Sequence, residues 1–515
     1  MYNLYLFTSA FMFIQDVWKM IKDPYQSSPV RILIEILLLG IVLRYAFNRK
    51  KSSNDVILSP EEAEQLIDEW EPKELGMSEG INVPDKCKDP KYILSTFNPF
   101  LFSSTVKVPE DNPLPIETAQ QKKEKLKVLS DIIEEYGVGT CGPRGFYGTI
   151  DIHLELEKML AESLGVEGAV LYAHSLLAIA SVIKCFCKRD DVILYDHRSS
   201  ISIRRGIYSS KAKAISYSST SDLNLKLAME GSLKNKKFII TEGVFEETGE
   251  TADIAAIVKA RSHHKAFLIL DESVSLPMLG STGAVGFFGA NPLQVDLRIG
   301  SLSTGFGSAG GFCVGSKEAS DLQRLSSLAY CFSASLPAYL SQAALLNMTS
   351  VIEWEESQIG FVTQSVSESS SEESQYTPAI DYPAKKTIKS PKFVSNVLRE
   401  KNSLINQDAA KRFQSEFNRL SKTIPFRAKT DQFTPIARII LQDDHPDPST
   451  VFSEIHTGLI NEGIYARLSE YPNPSVLFVF HNAFQLSDVS SLAKTVYTII
   501  TEAYTNALSS YQDTV

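Results

Sequence analysis

The sequence predicts an α/β fold with a large, mostly parallel sheet and a smaller C-terminal α/β domain, and three observations predict it. Short apolar runs, among them Gly168–Tyr172, Asp191–Tyr195, Lys237–Thr241 and Ala266–Leu270, are separated by helical patterns. The runs are continuous rather than alternating, as in strands covered on both faces. At 515 residues, with 43% apolar and 22% charged residues, the chain can bury the core of a large and a small domain.

Taken in order, residues 1–29 read as an amphipathic segment, since Phe7, Phe11, Ile14, Trp18 and Ile21 recur at helical spacing. Residues 30–47 read as a transmembrane helix. At about 1.5 Å per residue it would cross a thin bilayer, with Arg31, Glu35 and Arg44 as its polar interruptions. The alternative is a helix covered by a partner. An acidic linker, 48–91, leads into a large domain over 92–350. Residues 363–392 read as a disordered insertion, with the polar run Ser365–Ser374 followed by Pro378, Pro383 and Pro391. Residues 393–515 form the small domain, with Ile436–Leu441 and Ser475–Phe480 as its clearest strands.

Composition narrows the function. The formal charge of −10, with no basic stripe among aromatics, gives no support to nucleic-acid binding. Six scattered cysteines, Cys87, Cys141, Cys185, Cys187, Cys313 and Cys331, fit reduced thiols rather than a disulfide framework. Cys185-Phe186-Cys187 lacks the spacing of a zinc site, and His263-His264 has no third ligand nearby. No metal site is expected.

The strongest chemical signal is a missing group. The strand ending in Asp271-Glu272 delivers a carboxylate to the sheet's C-terminal edge, where α/β folds bind ligands. A glycine-rich turn follows, Gly300–Gly311, where the backbone can come close to a ligand. An imine with an aldehyde cofactor needs a lysine amine there. Between Asp296 and Ser316 there is none, and Thr304 stands at the centre of the turn. Asp271 taken alone is equally a cap for the loop that follows it.

These segments carry a family resemblance. Tyr136–Thr149, reading Tyr-Gly-Val-Gly-Thr-Cys-Gly-Pro-Arg-Gly-Phe-Tyr-Gly-Thr, precedes a Leu-Glu helix. Asn98–Leu101, Asp271–Ser273, Leu279–Gly283 and Phe332–Pro337 complete the pattern. Over nearly its whole length the chain resembles the α-oxoamine synthases, and within them the non-catalytic long-chain-base subunits. The resemblance implies a pyridoxal phosphate (PLP)-dependent transferase fold of type I, and a heterodimer with catalytic subunit 2 of serine palmitoyltransferase. The complex would condense L-serine with palmitoyl-CoA to 3-ketodihydrosphingosine, with PLP bound covalently by the partner. It further implies a small activating subunit, Orm-type membrane regulators, and the endoplasmic reticulum membrane with the large domain facing the cytosol.

The departures from the catalytic pattern point the same way. Thr304 replaces the lysine, and Val274 follows Asp271–Ser273 where relatives have histidine. The ring-stacking histidine falls on Ser200, with His197 close by. Ser475–Phe480 lacks the substrate-holding arginines. By resemblance Asp271 is a vestigial cofactor contact, and Ser333 and Ser335 reach the phosphate of the partner's PLP. Cys141, Arg144 and Tyr147 lie at the interface and substrate cleft, where Arg144 is an anion or acyl-CoA contact or an interface salt bridge. Two other readings stand beside this one: a membrane scaffold with no active-site role, and an independent acyltransferase using a displaced lysine such as Lys317.

Overall fold

Strand β1 (Tyr92–Ile93) opens the folded region seen in the computed structural model, which describes residues 37–41, 43–44, 92–93, 119–140, 142–230, 235–367, 407–443, 447–469, 472–480 and 486–512. The chain divides into two units, 1–83 and 84–515. In the first, residues 37–41 and 43–44 are helical, with Leu37, Leu38, Leu39, Ile41 and Leu43 all exposed. Among the described residues no helix is long and apolar enough to cross a membrane. The rest of the expected amphipathic segment, span and acidic linker lies outside the described residues.

The second unit is built on a seven-stranded sheet. Its strands are β2 (Gly168–Tyr172), β3 (Val192–Asp196), β4 (Lys213–Tyr217), β5 (Lys237–Glu242), β6 (Phe267–Asp271), β7 (Leu297–Ser301) and β8 (Gly311–Gly315), in the order β2-β8-β7-β6-β5-β3-β4. Neighbours are parallel except where β8 pairs antiparallel with β2 and β7, so the sheet is mixed, with one reversed strand. The apolar runs are continuous because both faces are covered. Ile239 of β5 packs with Leu194 and Leu268 on one side, while Phe238 and Ile240 pack with Ile193 and Ile269 on the other. Helix Ser175–Phe186 covers the second face, and helix Asp151–Leu164 packs on β2.

The reversal of β8 has a sequence cause. Only the short helix Leu302–Gly305 and the Gly307–Gly310 turn separate it from β7, too little chain for a parallel crossover. Gly310 holds φ at +93°, and a Cβ there would meet the Tyr172 carbonyl oxygen at 2.7 Å.

The C-terminal part carries β9 (Phe426–Thr430), β10 (Ile436–Leu441), β11 (Ile464–Tyr465), β12 (Arg467–Ser469) and β13 (Ser475–Val479). Four of these form an antiparallel sheet, β12-β13-β10-β9, and β11 pairs with β1. Helices Gln407–Leu420, Pro448–Asn461 and Val489–Gln512 cover it around a core of Phe413, Phe417, Phe426, Phe452, Phe478 and Phe480. Helix Ala338–Ser367 runs past the large-domain boundary at 350 and over the first residues of the expected insertion. Residues 368–392 of that insertion lie outside the described residues.

Candidate functional site

The order of the large sheet reverses beside β3, whose neighbours are β4 and β5, and ligands of α/β folds bind at the C-terminal strand edge near such a point. Three strands end there in buried acids: Asp196 on β3, Glu242 on β5 and Asp271 on β6. Asp196 is neutralised. Its two oxygens accept from Arg198 Nε and NH2, both at 3.0 Å, and Arg198 lies over the Phe245 ring at 4.0 Å while also bonding Glu250.

Among the described residues, Glu242 and Asp271 have no such cation. They stand opposite each other in the β5–β6 register. Glu242 Oε1 accepts the Ser200 N–H at 2.5 Å and Oε2 accepts the Glu246 N–H at 2.8 Å. Asp271 Oδ1 accepts the Ser273 N–H at 2.9 Å. Burial, followed by the charge of Asp271, pushes the Glu242 carboxyl well above the usual range. Burial likewise raises Asp271 to about 7 against the opposing bonds from Ser273. The pair holds protons that isolated carboxyls would release.

Thr304 meets this edge through the backbone. It lies on helix Leu302–Gly305, which Ser301 caps by accepting the N–H groups of Ser303 and Thr304 at 3.2 Å. Thr304 Oγ1 donates to the Ser273 carbonyl, two residues beyond Asp271. The structure therefore brings together the two segments that the sequence singled out. These residues do not fit a PLP held covalently by this chain. The turn has no amine to form the imine, and its hydroxyl is already bonded. Ser200, at the expected ring-stacking position, offers its N–H to Glu242, while His197 is engaged with the Tyr217 carbonyl.

The glycine-rich loop is sewn to the Phe332–Pro337 segment. Thr140 Oγ1 donates to the Ser335 carbonyl at 2.8 Å, the Ser335 N–H to the Gly142 carbonyl at 3.1 Å, and Ser335 Oγ to the Gly148 carbonyl at 2.5 Å. Gly148 has no room for a side chain, since a Cβ would lie 1.9 Å from the Gly142 oxygen. His153 anchors the same region, accepting the Ile150 N–H at Nδ1 and donating from Nε2 to the Leu336 carbonyl at 2.6 Å. Burial, then the Arg144 charge, lowers its pKa and favours this neutral form.

Three of the side chains expected at the cleft bond within this chain. The Ser333 hydroxyl donates to the Ala329 carbonyl and that of Ser335 to Gly148, so neither has a proton left for a phosphate dianion, which takes up donors. Arg144 is turned inward and buried. Its NH1 lies 2.9 Å from Glu157 Oε1 without the alignment of a hydrogen bond, its Nε donates to Thr149 Oγ1, and its guanidinium lies 5.5 Å from the Tyr330 ring centre. These contacts hold this chain's own loop. Tyr147 is the reverse, 87% exposed, with Phe146 and Val138 exposed nearby in sequence and Phe332 exposed beside the segment stitched to this loop. Cys141 lies outside the described residues.

Lys317 begins the helix after β8, and the antiparallel register carries β8 from Gly311 beside Ser301 to Gly315 beside Leu297. Lys317 thus sits at the N-terminal edge, opposite Asp271, and cannot serve as a displaced nucleophile. Sequence reasoning missed Glu242, although an acid closing the apolar run of β5 is the same signal that singled out Asp271. It also missed Arg438 and Arg467. Both pair in register with Leu477, so arginines absent from β13 stand on the strands at either side of it. Arg467 binds Glu246 at 2.7 Å and Arg438 binds Ser475 Oγ at 2.9 Å. Among the described residues no cluster could hold a metal ion.

Known proteins share this architecture. "Serine palmitoyltransferase 1" of Saccharomyces cerevisiae is 32% identical over 356 residues, 63% of each chain. "Long chain base biosynthesis protein 1" of Arabidopsis thaliana is 32% identical over 325 residues, 60% of this chain and 65% of that one. The match thus spans somewhat under two thirds of the length of these relatives. Among solved structures, a Sphingomonas wittichii serine palmitoyltransferase superposes with a TM-score of 0.59 at 18% identity, covering 80% of this chain and 88% of that one. An 8-amino-7-oxononanoate synthase from Francisella tularensis gives 0.51 at 18% identity, covering 75% and 95%. These show the PLP-dependent transferase fold. The profile of the family described as "Aminotransferase class I and II" matches residues 107–364, half of the chain, and the protein belongs to that family.

Proposed function

We propose that this chain is a required, non-catalytic subunit of a heterodimeric serine palmitoyltransferase. Its partner carries the PLP and the lysine, and the complex condenses L-serine with palmitoyl-CoA to 3-ketodihydrosphingosine, CoA and carbon dioxide. The observation that carries the reading is Thr304, whose hydroxyl is bound to the Ser273 carbonyl at the place where the fold needs an amine. The names of the yeast and plant relatives support the reaction class. The exposed Phe146, Tyr147 and Phe332 form the docking surface for the partner. Residues 30–47 anchor the chain in the endoplasmic reticulum membrane, a reading supported by the exposed apolar side chains of residues 37–41. Borohydride reduction in the presence of PLP tests the central point: the complex should yield a cofactor adduct on the partner and none on this chain. An adduct on this chain overturns the reading.

The inward bonding of Ser333, Ser335 and Arg144 favours a second reading, in which the chain scaffolds the partner and lends no group to its cleft. Ser333→Ala separates the two. Turnover changes at constant assembly if the segment reaches the cleft, and stays at wild-type values if the chain only scaffolds.

A further inference from the structure

The large sheet has a concavity at the edge opposite Asp271. There, among the described residues, the N-terminal ends of β5, β6 and β7 and the end of β8 are left uncovered between the last turn of helix Ser175–Phe186 and helix Lys317–Ser326. The hollow encloses about 510 Å³, within the ~300–1,000 Å³ range of small-molecule pockets. Its walls are apolar, with Phe186, Phe238, Ile269, Val295, Leu297 and Ala319 among them. They continue the core on that face of the sheet, where Phe238 stacks on Phe267 at 5.3 Å. The mouth is apolar too: Phe267, Leu293 and Leu322 are exposed there.

The charges at the mouth are arranged unevenly. Its two carboxylates are already engaged. Asp296 receives Arg261 at 2.6 and 3.1 Å and the Leu268 N–H at 2.7 Å, and Glu167 receives the Lys317 N–H at 3.2 Å. Lys188 and Lys236 have no carboxylate partner among the described residues. One reaches the Lys184 carbonyl at 3.3 Å and the other lies 6.0 Å from the Phe267 ring centre. Both are fixed at one corner by Asp191, whose oxygens accept the backbone N–H of Lys188 at 2.8 Å and of Lys236 at 3.2 Å. An apolar hollow with two ammonium groups at its rim that no carboxylate neutralises is complementary to an apolar chain ending in an anion.

We propose that this hollow binds a single-chain anionic amphiphile, its acyl chain in the cavity and its carboxylate or phosphate head between Lys188 and Lys236. The site lies away from the carboxylates at the other edge and does not depend on the function proposed above. The test is fluorescence titration of the full-length chain with anthroyloxy-stearate. The expected result is saturable binding, displaced by palmitate or lysophosphatidate and not by methyl palmitate. Whichever of the two displaces better identifies the head group. The double variant Lys188→Glu/Lys236→Glu should weaken binding about tenfold or more, and Ala319→Phe, which fills the cavity, should abolish it. Because both lysines are exposed, the double variant keeps the test valid if Ala319→Phe misfolds. The proposal is overturned if the wild-type chain shows no saturable binding because polypeptide fills the hollow. Undiminished binding in the lysine variant, or equal displacement by methyl palmitate, also overturns it.

Discussion

Replacing Asp271 by Asn should stabilise the protein, increasingly so as pH rises. An ordinary aspartate titrates near 3.8, and burial holds this one at about 7. A folded-state value above the unfolded one means that the native chain keeps a proton the unfolded chain has released. Stability from this group is complete below about pH 4 and declines as pH rises towards 7, beyond which the full loss is in place. Each pH unit inside that window is worth about 1.4 kcal/mol, so between pH 5 and pH 8 the wild type should lose about 2–3 kcal/mol that the Asn variant keeps. Asn retains an oxygen for the Ser273 N–H, so the bond at 2.9 Å survives the exchange. Relief of the neighbouring Glu242 carboxyl, raised partly by the Asp271 charge, adds in the same direction. Thermal melting of both proteins across pH 5–8 is the assay. The gap in midpoints should open by about 5 °C towards pH 8. A constant gap, or one that closes as pH rises, would refute the assignment of Asp271 as a buried proton-holding acid.

Three further outcomes follow from the geometry. Thr304→Lys should leave the isolated chain colourless with PLP and without condensation activity, because Ser200 and Val274 still stand where the resemblance places histidines; absorbance and product assay check this. Arg144→Met should cost about 3 kcal/mol by stranding the buried Glu157 carboxylate, whose other cation, Arg324, stands 3.4 Å away. Chemical denaturation reads that loss, and Glu157→Gln in the same chain should recover part of it. Tyr147→Glu should weaken co-purification with the partner about tenfold while the melting temperature holds, since the side chain is 87% exposed; an unchanged yield removes Tyr147 from the interface.

The fold was legible where the sequence speaks through periodicity. The buried strands β3, β5 and β6 are continuous apolar runs because core packs on both faces, and the reading found them for that reason. The reversed strand β8 was not visible, because its direction is set by the length and conformation of the turn before it rather than by its own residues. At the site, Asp271 and Thr304 were legible as motifs, and their meeting through Ser273 follows from the parallel β6–β7 pairing. Ser333, Ser335 and Arg144 were assigned by motif to an outward role. Which way a hydroxyl or guanidinium turns depends on carbonyls and carboxylates distant in sequence: Ser335 meets Gly148 across 187 positions. No local pattern carries that information. Glu242 was missed for the opposite reason. The signal was present, but a single strand-end acid is usually an ordinary cap.

The stitch between the glycine-rich loop and Ser335 also fixes when the partner-facing surface can exist. Thr140 and the Ser335 carbonyl are 195 positions apart, and every strand of the large sheet lies between them in the chain. Until the ribosome has released Ser335, the loop carrying Phe146 and Tyr147 lacks the three bonds that tie it to that segment and keeps only its local contacts to Thr149 and Glu157. If the chain pairs with a catalytic subunit as proposed, a nascent chain completes that face late, and pairing is deferred until the large sheet is whole. Truncated or stalled chains ending before this point lack the completed stitch, so under the proposed function selection of intact subunits begins in the covalent order of the polypeptide.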